Sequence, residues 1–173
     1  NVDYFRVRDL GGPFATDTGI ATLVQSVPVT LTNYTGDADG IIDITETSAV
    51  ALDVSELRYR FQDANNYWTM YFDATGAFKV DSVVAGTPTN RVNVAGVMVL
   101  GQTRTMRVIC DGSKHNFYTL NGTTWTKQGA EINVVTVMDA VTTIRPVKGG
   151  NDTIANLTSY PRRSALYNAL VSS

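Results

Sequence analysis

Three glutamates, Glu46, Glu56 and Glu131, are all the chain holds, and glycoside hydrolysis needs two carboxyls flanking one bond, one protonated and one charged. Asp43 and Glu46 come nearest to such a pair, yet their odd spacing along a strand directs them to opposite faces. His115 is the single histidine and no Gly-x-Ser-x-Gly elbow is present, so a nucleophilic triad is not expected. Alternation places Cys110 inside and His115 at the solvated surface beyond a hairpin turn, which argues against a thiol nucleophile. Asp37-Ala-Asp-Gly40 has the first and third ligand positions of a calcium loop but lacks its third acid and terminal Glu. Turn chemistry accounts for those residues, so no metal and no cofactor is expected. The chemistry these residue types do suit is recognition of hydroxyl-rich ligands, where an aromatic ring packs on a C–H face and a few polar groups fix orientation. Arg58, Arg60, Tyr67 and Tyr71 fall on the polar faces of adjacent strands, and Trp125 lies near the Asn121-Gly122 turn. These five are the candidate ligand-binding residues. The structural alternative is that Tyr and Arg on sheet faces pair across strands, and that Trp125 packs over an edge.

The elements that must position them are β-strands. Leu57, Tyr59 and Phe61 alternate with Glu56, Arg58 and Arg60, which gives one apolar face and one charged face. Asp63-Ala-Asn-Asn66 supplies turn formers, and Trp68, Met70 and Phe72 then alternate with Tyr67, Thr69 and Tyr71. Trp68 belongs to the core set. Further strands are expected at Val2–Arg8, Ile20–Leu31 (with Pro28 marking an edge or bend), Ile41–Thr47, Ala49–Phe61 and Ala77–Val84. The later ones are expected at Thr103–Cys110, His115–Leu120, Ile132–Val137, Val141–Val147 and Ile154–Tyr160. Asp73-Ala-Thr-Gly76 reads as a tight hairpin turn and Gly86-Thr-Pro88 as another turn, while Asp111-Gly112 and Asn121-Gly122 read as hairpin dipeptides, with Ser113 and Lys114 able to lengthen the first of these loops. Turn signals about every 8–12 residues point to a sandwich or jelly roll. After Pro161, Ala165, Leu166, Ala169 and Leu170 fall at helical spacing, so residues 161–173 read as a tail or arm beyond a 1–160 domain.

Composition bounds the function. Net charge is −2 with no dense Lys/Arg cluster, which leaves a nucleic-acid grip without the phosphate neutralisation it needs. No apolar run approaches the roughly 18 residues of a membrane span, so membrane insertion is not expected. A lone cysteine rules out an intramolecular disulfide. A start at Asn1-Val2 rather than Met fits a processed product or a domain of a longer protein. The sequons at Asn33, Asn121, Asn151 and Asn156 read as coincidences of a Thr- and Asn-rich β protein.

Two passages resemble the concanavalin A-like lectin/glucanase superfamily, in particular its laminin-G-like branch. One is Arg58-Tyr-Arg-Phe-Gln-Asp-Ala-Asn-Asn-Tyr-Trp68, an Arg-rich strand running into Asp-x-x-Asn-Tyr. The other is Thr105-Met-Arg-Val-Ile-Cys-Asp-Gly112 with Phe117-Tyr-Thr-Leu-Asn-Gly122. The resemblance implies an all-β, two-sheet antiparallel jelly roll over residues 1–160, with a final strand near Thr153–Tyr160 returning beside the N-terminal strand. The Glu-x-Asp-x-(x)-Glu strand motif of the glucanase branch is missing, so the expectation is a binding module and not an enzyme. The texture, rich in Thr, Val, Asn and Gly, is similar to phage tail or capsid-surface modules. It implies a virion-surface or extracellular location and a carbohydrate or cell-surface glycan as partner. The alternative is a structural virion protein that meets other virion proteins, or its own copies, through residues 161–173, and a glycoside hydrolase stands third.

Overall fold

Alternating side chains settle into two facing sheets in the computed structural model, which describes residues 29–30, 34–35, 38–48, 54–99, 101–149 and 152–161. The expected strand at Val2–Arg8, most of that at Ile20–Leu31 and the tail after Pro161 lie outside the described residues. The strands in chain order are β1 (Val29–Thr30), β2 (Tyr34–Thr35), β3 (Gly40–Thr47), β4 (Glu56–Asp63), β5 (Asn66–Phe72), β6 (Phe78–Val84) and β7 (Thr87–Val94). They continue with β8 (Thr103–Asp111), β9 (Lys114–Asn121), β10 (Thr124–Lys127), β11 (Ile132–Asn133), β12 (Thr143–Lys148) and β13 (Thr153–Pro161). The first sheet runs β1-β12-β4-β5-β6-β7, with β2 also on β12. The second runs β10-β9-β8-β3-β13, with β11 also on β9. All these pairings are antiparallel. The all-β, two-sheet expectation holds. Within the described residues β13 lies beside β3.

The inward half of each strand makes the core. Leu57, Tyr59, Trp68, Met70 and Phe78 from the first sheet meet Ile42, Ile44, Met106, Val108 and Phe117 from the second. All are buried, Trp68 completely, as its alternation requires. Non-directional apolar burial of this kind is the main favourable term holding two sheets face to face.

Two departures from simple alternation change which side chains reach the interior. In β4, Tyr59 pairs with Trp68 and Asp63 with Asn66, so Arg60, Phe61 and Gln62 stand opposite Tyr67 alone. Such a bulge re-aims side chains. Arg60 takes φ of 47°, an uncommon backbone for a residue with a Cβ. Its side chain therefore turns inward, while Phe61 turns to the outer face and packs on Tyr67 with ring centroids 5.8 Å apart. The expectation of Arg60 on the charged face, and of Phe61 beside Tyr59, is corrected by this bulge. The second departure is at the β8–β9 hairpin. Asp111 pairs with Lys114 and Cys110 with His115, so the loop is Gly112-Ser113 and not Asp111-Gly112. Residues directly opposite across a ladder share a face, and both Cys110 and His115 are buried. Counting alternation through the turn is what misplaced His115 at the surface.

Turn positions move as well. Ala85 and Gly86, with φ of 50° and 78°, form the tight β6–β7 connection, and Pro88 lies within β7, the outermost described strand of its sheet, an edge position of the kind to which proline is confined. Only Ile132–Asn133 of the expected Ile132–Val137 strand forms. The Asp73–Gly76 turn is built as read. Asp73 Oδ1 accepts from the Thr75 and Ala77 amides at 2.8 and 3.1 Å, and Gly76 has φ of 78°. A Cβ on Gly76 would collide with the Met98 carbonyl oxygen. Gly76→Ala is therefore expected to cost about 2–4 kcal/mol, adding left-handed strain to overpacking. Urea unfolding reads this directly, and a loss under about 1 kcal/mol would contradict the placement.

Candidate functional site

The outer face of the first sheet carries three of the five candidate residues. Arg58 donates to Glu56 at 2.8 Å and lies over the Tyr67 ring, 4.7 Å from its centroid. Phe61 packs against the same ring and is itself covered by Arg145, whose Cζ is 3.8 Å from the Phe61 centroid. The Tyr71 hydroxyl donates to Asp81 at 2.7 Å. Burial, with the Asp81 carboxylate beside it, holds the Tyr71 phenol well above its ordinary range. Arg58, Tyr67 and Tyr71 are thus brought together on one face, where the Arg58 guanidinium, the Tyr71 hydroxyl and the Tyr67 ring each have a neighbour on the sheet.

Arg60 is not with them. Its guanidinium is 2% exposed and donates to the carbonyls of Ala38 at 3.1 Å and Gly112 at 2.7 Å. It also reaches Asp39 at 3.2 Å and Asp139 at 3.1 Å, and His115 Nε2 at 3.0 Å. Arginine only donates, so Nε2 accepts and the His115 proton sits on Nδ1, donating to the Tyr59 hydroxyl at 2.9 Å. Burial, reinforced by the Arg60 charge, pushes His115 down to about 3, and the ring is neutral at physiological pH. Cys110 lies beside this cluster, its thiol pushed up to about 12 by burial, which leaves no thiolate for nucleophilic work.

Trp125 lies on the other side of the molecule, on the outer face of the second sheet. Arg107 Nε and Nη2 donate to the two carboxylate oxygens of Asp43, each at 2.7 Å. This fork holds the guanidinium over the indole, with Cζ 3.9 Å from the ring centroid. Burial raises the Asp43 carboxyl while the bonds and charge of Arg107 act against that rise. Register sets Asp43, Arg107, Tyr118 and Lys127 in one cross-strand row, and Thr45, Thr105, Leu120 and Trp125 in the next. Thr45 and Thr105 share a hydroxyl hydrogen bond of 2.8 Å. Trp125 and Tyr118 are half-buried, so each keeps some surface in water. Arg107 and Asp43 were not among the candidate residues. Their contact needs the pairing of three strands far apart in sequence, and only the Trp gave a signal.

Asp43 and Glu46 fall on opposite faces, as their spacing requires. Glu46 points inward and is 2% exposed. It borders a cavity of about 250 Å³ at one end of the sandwich, with Asp152, Phe72, Asp73, Thr75 and Met98 also on its wall. Among the described residues no group of three His, Cys, Asp or Glu side chains is arranged to hold a metal ion.

Two antiparallel sheets enclosing one apolar interior in this order define a jelly-roll β-sandwich. Among solved structures, the chain is similar to the carbohydrate binding module CBM66 from Bacillus subtilis, with a TM-score of 0.60 and 10% identity over 79% of this chain and 83% of that one. It is also similar to galectin LEC-6 of Caenorhabditis elegans, with a TM-score of 0.58 and 15% identity over 76% and 89% of the two chains. A GH43 protein from Bacillus licheniformis matches with a TM-score of 0.54 and 10% identity, over 72% of this chain but 28% of its own length. No protein-family model matches the chain, and no curated protein matches it by sequence.

Proposed function

We propose that the chain is a non-catalytic module that binds carbohydrate on the outer face of its second sheet, at Trp125. The observation that carries this reading is the alignment of three side chains from three strands: Asp43 fixes Arg107, and Arg107 lies over Trp125. A preorganised aromatic surface beside fixed donors and acceptors is the arrangement that sugar rings need, because it meets C–H faces and hydroxyls without first paying ordering entropy. Tyr118, Thr45 and Thr105 add hydroxyls around the same spot. Similarity to a carbohydrate binding module and to galectins supports a sugar as the ligand. The absence of catalysis is supported by the opposite facing of Asp43 and Glu46, which denies one sugar bond both carboxyls.

A glycan array run with the native chain, Trp125→Ala and Tyr67→Ala tests the reading. Native hits should weaken at least tenfold on Trp125→Ala, a change of about 1.4 kcal/mol, and persist on Tyr67→Ala. Loss on Tyr67→Ala alone would move the site to the first sheet, and a blank array would end the proposal. Reducing ends released from defined oligosaccharides would contradict the non-catalytic part. The laminin-G-like, phage-type assignment and a virion-surface or extracellular location belong to the same proposal, supported by sequence motifs and texture. Deleting residues 161–173 and measuring particle association and sedimentation tests the tail as the contact to virion proteins or to another copy. Unchanged behaviour would remove that part.

A further inference from the structure

The cavity between the end of β3, the start of β13 and the β5–β6 turn is not used by the proposed sugar face. Among the described residues Glu46 Oε2 has no hydrogen-bond partner although the side chain is buried, which is an expensive state for a polar atom. The residue paired with it across the ladder is Arg104, the natural source of a compensating charge. Arg104 instead donates to the Val97 carbonyl at 3.2 Å and to Gln102 Oε1 at 2.9 Å. Lys79 is bound to Asp73 at 2.8 Å. These two basic side chains are therefore committed elsewhere, while Glu46 and Asp152 share the cavity wall. Asp152 accepts from Ser55 Oγ at 3.2 Å, and its charge adds to burial in holding the Glu46 carboxyl well above its ordinary value.

We propose that this cavity binds a small ligand through a primary ammonium group seated on Glu46, with a ring-sized body against Phe72 and Met98. Among the described residues no donor is turned toward Glu46 Oε2. The two carboxyls on this wall are completed by a group that donates and is positively charged, which replaces the proton that burial keeps on Glu46 and releases it to solvent, since charge-assisted hydrogen bonds are about twice as strong as neutral ones. At about 250 Å³ the space falls just below the roughly 300–1,000 Å³ of drug-sized sites, which suits one ring and not an oligomer. The ligand class, which rests on the carbohydrate reading of the chain, is an amino sugar with a free amine. Phe72 and Met98, both buried, supply the apolar surface for its C–H face.

Calorimetric titration of the full chain at neutral pH with glucosamine, glucose and N-acetylglucosamine tests the assignment. Glucosamine should bind at least tenfold more tightly than the other two, and Glu46→Gln should abolish that preference. Glu46→Gln keeps the shape and removes a buried acid, and its unfolding midpoint should match or exceed the native one. The comparison among three sugars on the native chain needs no variant at all. Equal binding of the three overturns the ammonium assignment, silence of glucosamine overturns the site, and a preference that survives Glu46→Gln places it elsewhere. The glycan array on Trp125→Ala reads the other face of the molecule, so array hits with a silent titration sink this inference alone.

Discussion

Replacing Arg60 with alanine is expected to remove about 3–5 kcal/mol of folding stability, the cost of breaking a buried charge network by deleting one partner. The guanidinium satisfies two backbone carbonyls, two carboxylates and an imidazole nitrogen at once. Its removal strands the carbonyls of Ala38 and Gly112. Asp39 and Asp139 keep 35% and 22% of their side-chain surface in water, so solvent relieves part of their loss and the lower end of the range is expected. Arg60→Lys should recover little, because one ammonium cannot span partners disposed around a planar fork. Urea unfolding gives the answer as a shift in midpoint at unchanged slope. A loss below about 1 kcal/mol would show that the bulged conformation, rather than the network it serves, dominates the balance.

The second large effect is an acid dependence centred on His115. Its ordinary value is 6.5, and in the folded chain it is lowered to about 3. The native state keeps the ring neutral while the unfolded chain takes up a proton below 6.5. The contribution of His115 is therefore complete above about pH 6.5, declines as pH falls, and is fully lost near pH 3. Within that window the loss reaches about 1.4 kcal/mol per pH unit. Glu46 acts with opposite sign. Its raised carboxyl holds a proton that the unfolded chain releases above 4.5, so its contribution improves as pH falls toward that value. The native profile is consequently flatter than His115 alone dictates, and the comparison must be made against His115→Gln. Stability measured by urea at pH 7, 6, 5 and 4 should show the gap between native and variant closing by about 1.4 kcal/mol per unit below pH 6.5. Parallel profiles would mean the ring is protonated in the fold, which its bond from Arg60 does not allow.

Alternation alone placed Leu57, Tyr59, Trp68, Met70 and Phe72 in the core, and the Asp73–Gly76 turn was legible because Asp and Gly each have a local reason to be there. The bulge was not. Nothing in Arg58-Tyr-Arg-Phe marks where two strands stop matching, since register depends on the partner strand as much as on the strand itself. One displaced residue exchanged Arg60 and Phe61 between faces and took Arg60 from the candidate site into the interior. The Trp125 cluster and the Glu46 cavity were invisible for a related reason. Each joins residues from strands distant in the chain, and a linear pattern reports which face a residue occupies without reporting its neighbours.

The reach of the Arg60 network also bears on the order in which the molecule assembles. Its partners lie 22, 52 and 79 residues away along the chain, and none of them comes near until strands of both layers are in place. Interactions with such long closure distances form late. They act mainly as a latch on a nearly finished structure, so they govern how long the native state survives once made more than how quickly it is reached.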